Sequence, residues 1–492
     1  MRFMILLVCV LSLGSCTSVP SGKLPNIVII LTDDLGYGDV SFINVESKIK
    51  TPHMDSLASE GIWCSDAHSP SAICTPTRYA LLTGRYAWRC KDLHRGIVSQ
   101  WGKPVIEKDR LTLPTMLKEK GYDTACIGKW HLGFIWPWKG ESQKNNVKSD
   151  MLDWSRPITG GPLTAGFDYY YGDDVPNFPP FAFIENDKLT CDPIDIDQKT
   201  LKSLGHRGHI HGSGPGEKGW TFEKVMPAIT KKAVSYVKEH AKSSKPFFLY
   251  FATTSPHTPV VPTKEFHGKS KAGYYGDFVV QTDDAVGQVV RVLKEQGIFD
   301  NTLLIVTSDN GPSKHMRNHI QTYQHLPAGH LRGMKYDILE GGHRVPFIAS
   351  WPKGQIKGGR RNDSLLSLTD MFASLADIVG SPLPADAAED SLNILPTLRH
   401  NKGVRNEMVY HCGNGTLGLR QGDWVYLRKP FGNKEPAWYQ EKFKIKKVEA
   451  PALLFDLKAD PSQRFNKYHQ NKDRVGVMEK HLKNIQDKGR SR

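Results

Sequence analysis

Cys74 opens the run Cys-Thr-Pro-Thr-Arg over residues 74–78, and Leu-Leu-Thr-Gly follows at 81–84. Pro76 suits the first turn of a helix, where its missing N–H costs nothing, and Gly84 suits the end of one. Cys74 is therefore expected at a helix N-terminus, where unpaired backbone N–H groups favour negative charge. Such a cysteine can be a thiolate nucleophile or a buried structural residue, and no Cys–His pairing stands out to favour the first. Asp33 and Asp34 are adjacent, and Asp309 and Asn310 form a second oxygen-rich pair. As turn residues or caps, neighbouring carboxylates at a buried strand end would repel each other, so a cation accounts for them better. Hard oxygen donors suit calcium, which takes about six to eight, or magnesium, which prefers a tighter and wetter shell. Lys129, His131, His257 and Lys335 are basic side chains beside other polar residues. His206, His209, His211, His315 and His319 carry no such company and read as ordinary surface or hydrogen-bonded histidines.

The polar groups share a placement. Apolar, β-branched runs at 26–31, 122–127, 247–252 and 302–307 each lead into one of them. Near-continuous apolar runs predict strands buried on both faces. Helical spacing, with polar caps and glycine stops, predicts helices at 112–120, 228–241, 275–296 and 369–379, the last capped by Thr369 and Gly380. Strands alternating with helices imply an α/β fold: a large mixed, mostly parallel sheet flanked by helices. Ligands in such sheets bind beyond the carboxyl ends of the strands, so the four polar clusters can converge. The pattern changes at 380–390. Short runs at 408–411, 417–420 and 424–427 predict a smaller C-terminal antiparallel-sheet subdomain. Residues 134–220, rich in Pro, Gly and aromatics with weak periodicity, read as long loops over the site. Within them Asp173, Asp174 and Asn177 can hydrogen-bond sugar hydroxyls, and Phe178, Phe181 and Phe183 can stack on sugar faces; a loop packed on the domain is the plain alternative.

A chain of 492 residues suggests one large domain and a smaller one. The net charge of +14 attracts anions of many kinds, and Lys139, Lys144 and Lys148 cluster in a polar loop. An anionic glycan fits; no motif interleaving basic and aromatic residues points to nucleic acid. Arg2 precedes an apolar stretch at 3–13 that is too short to span a bilayer, followed by Leu-Gly-Ser-Cys at 13–16. That run resembles a bacterial lipobox, which makes Cys16 the lipidated first residue; a plain signal peptide is the alternative. Export to the periplasm or outer membrane of a Gram-negative bacterium follows. The expected division is a signal peptide at 1–15, a lipidated linker at 16–24, a catalytic domain at 25–385 and a C-terminal subdomain with a basic tail at 386–492. Eight cysteines without regular spacing make neither a disulfide framework nor a zinc site, though one or two bridges remain open.

The run at 74–78 resembles the Cys-x-Pro-x-Arg signature of type I sulfatases, with Thr77 where Ser or Ala is usual. Residues 25–39, 128–133, 255–259, 308–311 and 332–342 also look familial and stand in the family's order. The resemblance implies the alkaline phosphatase-like fold and conversion of Cys74 to formylglycine by a maturation enzyme before folding. It implies one calcium ion held by Asp33, Asp34, Asp309 and Asn310, with residue 74 and a sulfate oxygen completing the shell. A hydroxyl of the hydrated formylglycine would attack sulfur, with Arg78 and Lys129 steadying its charge. His257 and Lys335 would bind the sulfate, His257 would protonate the leaving alcohol, and His131 would take the proton of the second hydroxyl to expel sulfate. The implied substrate is a sulfated carbohydrate, with galactose or N-acetylgalactosamine sulfate in view. Two alternatives remain open: a phosphoester or phosphonate ester hydrolase of the same superfamily, and a non-catalytic lipoprotein that binds anionic glycans.

Overall fold

A computed structural model describes residues 23–93, 96–205, 208–428, 435–446 and 448–492. The signal segment, Cys16 and His206 lie outside them.

In chain order the strands are β1 (Asn26–Asp33), β2 (Ile62–Cys64), β3 (Asp123–Gly128), β4 (Tyr169–Gly172), β5 (Ile184–Glu185), β6 (Lys188–Leu189), β7 (Phe247–Pro256), β8 (Thr302–Ser308), β9 (Phe347–Ser350) and β10 (Arg360–Asn362). They form a ten-stranded sheet in the order β10-β2-β9-β8-β1-β7-β3-β4-β5-β6. The centre, β8-β1-β7-β3-β4, is parallel. Antiparallel β9 interrupts one side, and antiparallel β5 and β6 close the other.

The central strands alternate between two cores. Ile27, Ile29 and Leu31 face one side, and Val28 and Ile30 the other. Against the first face pack α2 (Cys74–Thr83), α3 (Leu113–Glu119) and α6 (Met371–Ile378), through Leu81, Leu117 and Phe372. Against the second pack α1 (Pro52–Glu60), α4 (Val225–His240) and α5 (Gly273–Glu295), through Met54, Ile229 and Val286. Thr112 caps α3 by accepting the Thr115 N–H, as its sequence position suggests. The cap before α6 differs from expectation. Ser367 and Asp370 form a capping box around the 3-10 turn Leu368–Asp370, so the helical run starts at Ser367 rather than at Thr369.

A second sheet, β11 (Glu407–His411), β12 (Leu417–Gln421), β13 (Trp424–Leu427) and β14 (Leu453–Asp456), is antiparallel throughout. Helix α7 (Lys472–Asp487) joins it through Met478, Leu482 and Ile485. The segment read as loops, 134–220, contributes β4, β5 and β6 to the edge of the large sheet. Their runs are too short for periodicity to register. The described cysteines, Cys64, Cys74, Cys90, Cys126, Cys191 and Cys412, are all free, so no bridge forms among them. No helix among the described residues is long and apolar enough to cross a membrane.

Candidate active site

Four of the five strands of the parallel centre deliver polar groups to one place. Asp33 closes β1 with Asp34 behind it; Lys129 and His131 follow β3, His257 follows β7, and Asp309 and Asn310 follow β8. Leu31 pairs with Ala252 on one side and Thr307 on the other, which sets these ends level. Helix α2 starts with Cys74 and ends at Gly84 in the left-handed conformation.

Cys74 is buried, with its Sγ 3.0 Å from Lys335 Nζ and 3.6 Å from Asp33 Oδ1. Lys335 Nζ also reaches Asp34 Oδ1 at 2.6 Å. Lys129 Nζ donates to Asp33 Oδ2 at 2.8 Å. Arg78 holds Asp309 Oδ2 with two N–H groups, at 3.1 and 2.7 Å. Buried charges persist only when paired, and here three cations answer three carboxylates. Burial raises the Asp33 carboxyl, but Lys129, His257 and Arg78 outweigh it and hold the group at about 2. Burial, with Asp309 adding to it, pushes the Cys74 thiol up to about 12.

Two buried oxygens here lack hydrogen-bond partners: Asp34 Oδ2 and Asn310 Oδ1. Their neighbours Asp33 and Asp309 add further carboxylate oxygens, and this all-oxygen donor set fits a hard divalent cation. Asp33, Asp34, Cys74 and His257 each place a ligand atom within one 4.8 Å cluster. Asp34 and His131 also share a left-handed backbone, with φ of 67° and 56°. Such a conformation costs about 1–3 kcal/mol per residue and tends to mark functional sites.

His257 donates from Nδ1 to the Thr258 carbonyl at 2.6 Å, leaving Nε2 at 3.9 Å from Asp34 Oδ2. Burial lowers its pKa to about 4, so it is neutral at pH 7 before any anion arrives. His131 lies against the same site, its Nε2 3.0 Å from the Val98 carbonyl and its Nδ1 buried without a partner. Burial and the cations Lys129, Arg78 and Lys335 keep its pKa well below the usual imidazole range.

The loop residues divide. Asp174 Oδ1 accepts the His131 backbone N–H at 3.1 Å, and both Asp173 carboxylate oxygens are buried without partners. Burial raises both carboxyls to about 7, for Asp173 with a contribution from Asp174. Asn177 Nδ2 donates to the His209 carbonyl at 3.1 Å, while its Oδ1 is buried and unpartnered. Phe181 and Phe183 are buried in the core with Phe222 and Trp220, so packing, not sugar stacking, is their role. Phe178 meets the His131 ring edge-on. His315 is exposed, in keeping with its reading as a surface or hydrogen-bonded histidine. Thr75, unmarked in sequence, joins the His131 carbonyl to the Val98 N–H. Being the variable position of the signature, it gave no sign of this.

The profile of the Sulfatase family matches residues 25–381. The chain is 35% identical to an N-acetylgalactosamine-6-O-sulfatase of Bacteroides thetaiotaomicron, over 94% of this chain and 93% of that one. It is 30% identical to the human N-acetylgalactosamine-6-sulfatase, over 81% of this chain and 70% of that one. A solved sulfatase structure from work on glycosaminoglycan metabolism by Bacteroides thetaiotaomicron superposes with a TM-score of 0.82 at 32% identity, covering 95% of this chain and all of the other. The chain belongs to the sulfatase family and is a sulfuric ester hydrolase of the alkaline phosphatase-like fold.

Proposed function

We propose that this enzyme removes a sulfate ester from a glycan, at the 6-position of N-acetylgalactosamine or galactose, using a formylglycine at position 74 and one calcium ion. The observation that carries the reading is the Cys74 sulfur, buried at the start of α2 between Lys335 and Asp33, beside the unpartnered oxygens of Asp34 and Asn310. The thiol is the proposed precursor of the formylglycine. Formylglycine would supply, as its hydrate, one hydroxyl able to attack sulfur and a second able to give up a proton. Calcium would be held by Asp33, Asp34, Asp309 and Asn310 and would supply positive charge at the reacting centre.

The chain's own groups do the rest. Lys335, already on the atom at position 74, neutralises charge there, and Arg78 and Lys129 hold the carboxylates beneath. His257 presents Nε2 to the site because Nδ1 is tied to Thr258. The negative sulfate favours its protonated form, which can then donate to the leaving oxygen. His131 Nδ1, buried and without a partner, would take the proton at position 74. The 6-position is taken from the two N-acetylgalactosamine sulfatases, and Asp173, Asp174 and Asn177 are the proposed sugar-binding residues. Export and a lipid anchor at Cys16 belong to the same proposal; metabolic labelling with palmitate would detect the anchor.

Mass spectrometry of the peptide spanning Cys74, with a panel of defined sulfated and phosphorylated sugars, tests the whole reading. The expected result is formylglycine at 74 and release of sulfate from 6-sulfated substrates in preference to phosphate. Full turnover by a protein that retains cysteine at 74 would sink it.

A further inference from the structure

His131 is fixed more completely than placement of a base requires. Its backbone N–H donates to Asp174 Oδ1, its carbonyl accepts the Thr75 hydroxyl at 3.0 Å, and its ring abuts Phe178. The ring nitrogen Nε2 lies 3.0 Å from the Val98 carbonyl oxygen. A carbonyl can only accept, so in the neutral ring Nε2 carries the proton and Nδ1 the lone pair. The opposite tautomer would set two lone pairs against each other in a buried site.

The Val98 carbonyl is itself held in place. The Val98 N–H donates to the Thr75 hydroxyl oxygen at 3.2 Å, so one hydroxyl joins residue 98 to residue 131. Downstream, the two segments run side by side: the Phe134 N–H donates to the Gly102 carbonyl and the Val105 N–H to the Leu132 carbonyl. The Lys103 carbonyl comes so close to Gly133 that a Cβ there would lie 2.1 Å from it. Between them Trp101 holds a left-handed backbone, φ 61°, with its ring wedged against Trp136 and Trp138. A bulky residue keeps that conformation only where its surroundings over-determine it.

We propose that Thr75 and the Val98 carbonyl are positioning groups that set the tautomer of His131, leaving Nδ1 free to accept a proton from residue 74. The inference rests on His131 being the base of the proposed reaction. It gives the second residue of the Cys-x-Pro-x-Arg run a task of its own.

The tautomer can be read directly from long-range proton–nitrogen spectra of protein labelled with [15N]histidine, with His131→Gln identifying the signals. Wild type should show Nε2 protonated and Nδ1 bare. Thr75→Val, which keeps shape and loses the hydroxyl, should show a mixture. Per molecule of formylglycine, counted by mass spectrometry, its kcat should fall about tenfold with KM within about twofold, a loss within the range of general base catalysis. Thr75→Ser should restore both the tautomer and kcat. A wild-type signal with the proton on Nδ1 overturns the inference whatever the activity. So does a Thr75→Val enzyme with one tautomer and wild-type kcat, or a Thr75→Ser enzyme as impaired as Thr75→Val. Wild type with the expected tautomer but no sulfate release would sink the sulfatase mechanism and leave the positioning intact.

Discussion

Residue 74 lies among groups of both signs, yet the balance does not favour a thiolate there. Burial dominates, Asp309 and Asp33 reinforce it, and Lys129 and Lys335 offset it only in part, so the thiol reaches about 12. Burial therefore works against a thiolate at this position, which weighs against the thiolate-nucleophile reading. On the proposed mechanism, turnover requires the oxidised residue. Protein made with varying amounts of maturation enzyme should show sulfate release proportional to the formylglycine fraction, with a zero intercept. Cys74→Ala and Cys74→Ser should each lose at least about ten-thousand-fold in kcat, since a serine ester lacks the second hydroxyl that His131 would deprotonate. A residual rate in fully unconverted enzyme that rises with pH would show the thiol to be competent after all.

At the scale of elements, one contact shows how remote parts of the chain are locked to each other. Helix α1 has no side-chain cap of its own: Thr51 makes no such bond. Its first N–H groups instead go to Asp283 of α5, which accepts from His53 at 3.1 Å and Met54 at 2.8 Å. Burial, with Asp55 and Asp284 adding like charge, raises the Asp283 carboxyl to about 7, far above the ~3.9 of an unfolded chain. The folded form therefore keeps a proton that the unfolded form has shed, and the associated stability is present below pH ~4 and lost as pH rises through about 7. Asp283→Asn should flatten that part of the melting profile. Asp283→Ala should also remove the cap and destabilise by about 1–2 kcal/mol, measured by denaturant unfolding. A slope unchanged between pH 4 and 7 in Asp283→Asn would refute the assignment. None of this is legible in the sequence, because Asp283 and His53 lie far apart and only the packed pair defines the cap. What was legible was local and strongly patterned: the apolar runs leading into Asp33, Lys129, His257 and Asp309, and the Pro76–Gly84 punctuation of α2. Strands β4 to β6 escaped because two to four residues carry no period, and Thr75 escaped because its link between Val98 and His131 depends on the whole fold.

For the molecule as a whole, the two sheets are not separable around the site. Ser71 donates its hydroxyl to the His411 carbonyl of β11, and the Ala72 N–H donates there as well, two residues before Cys74. The second sheet therefore helps to hold the loop that presents residue 74. The net charge of +14 is also unevenly useful. Part of the basic tail is committed: Arg492 donates to the Pro384 and Ala387 carbonyls, and Ser491 to Asp390. Lys139, Lys144 and Lys148 are exposed instead. Their loop is tied to the site side by Gln100, whose Nε2 donates to the Lys144 carbonyl at 2.7 Å, two residues beyond the Val98 that holds His131. Exposed cations of this kind contribute little to stability but draw a polyanion toward this face of the protein. A sulfated polymer presents many charges to this loop and a sulfated monosaccharide presents one. Raising ionic strength from about 0.05 to 0.5 M shortens the screening length about threefold, and kcat/KM should fall about three- to tenfold for the polymer but less than about twofold for the monosaccharide. Replacing Lys139, Lys144 and Lys148 together with alanine should bring the polymer's salt dependence close to the monosaccharide's and leave monosaccharide turnover unchanged. If the triple variant keeps the wild-type salt dependence on the polymer, attraction arises from the diffuse charge of the whole surface and the loop has no special part in it.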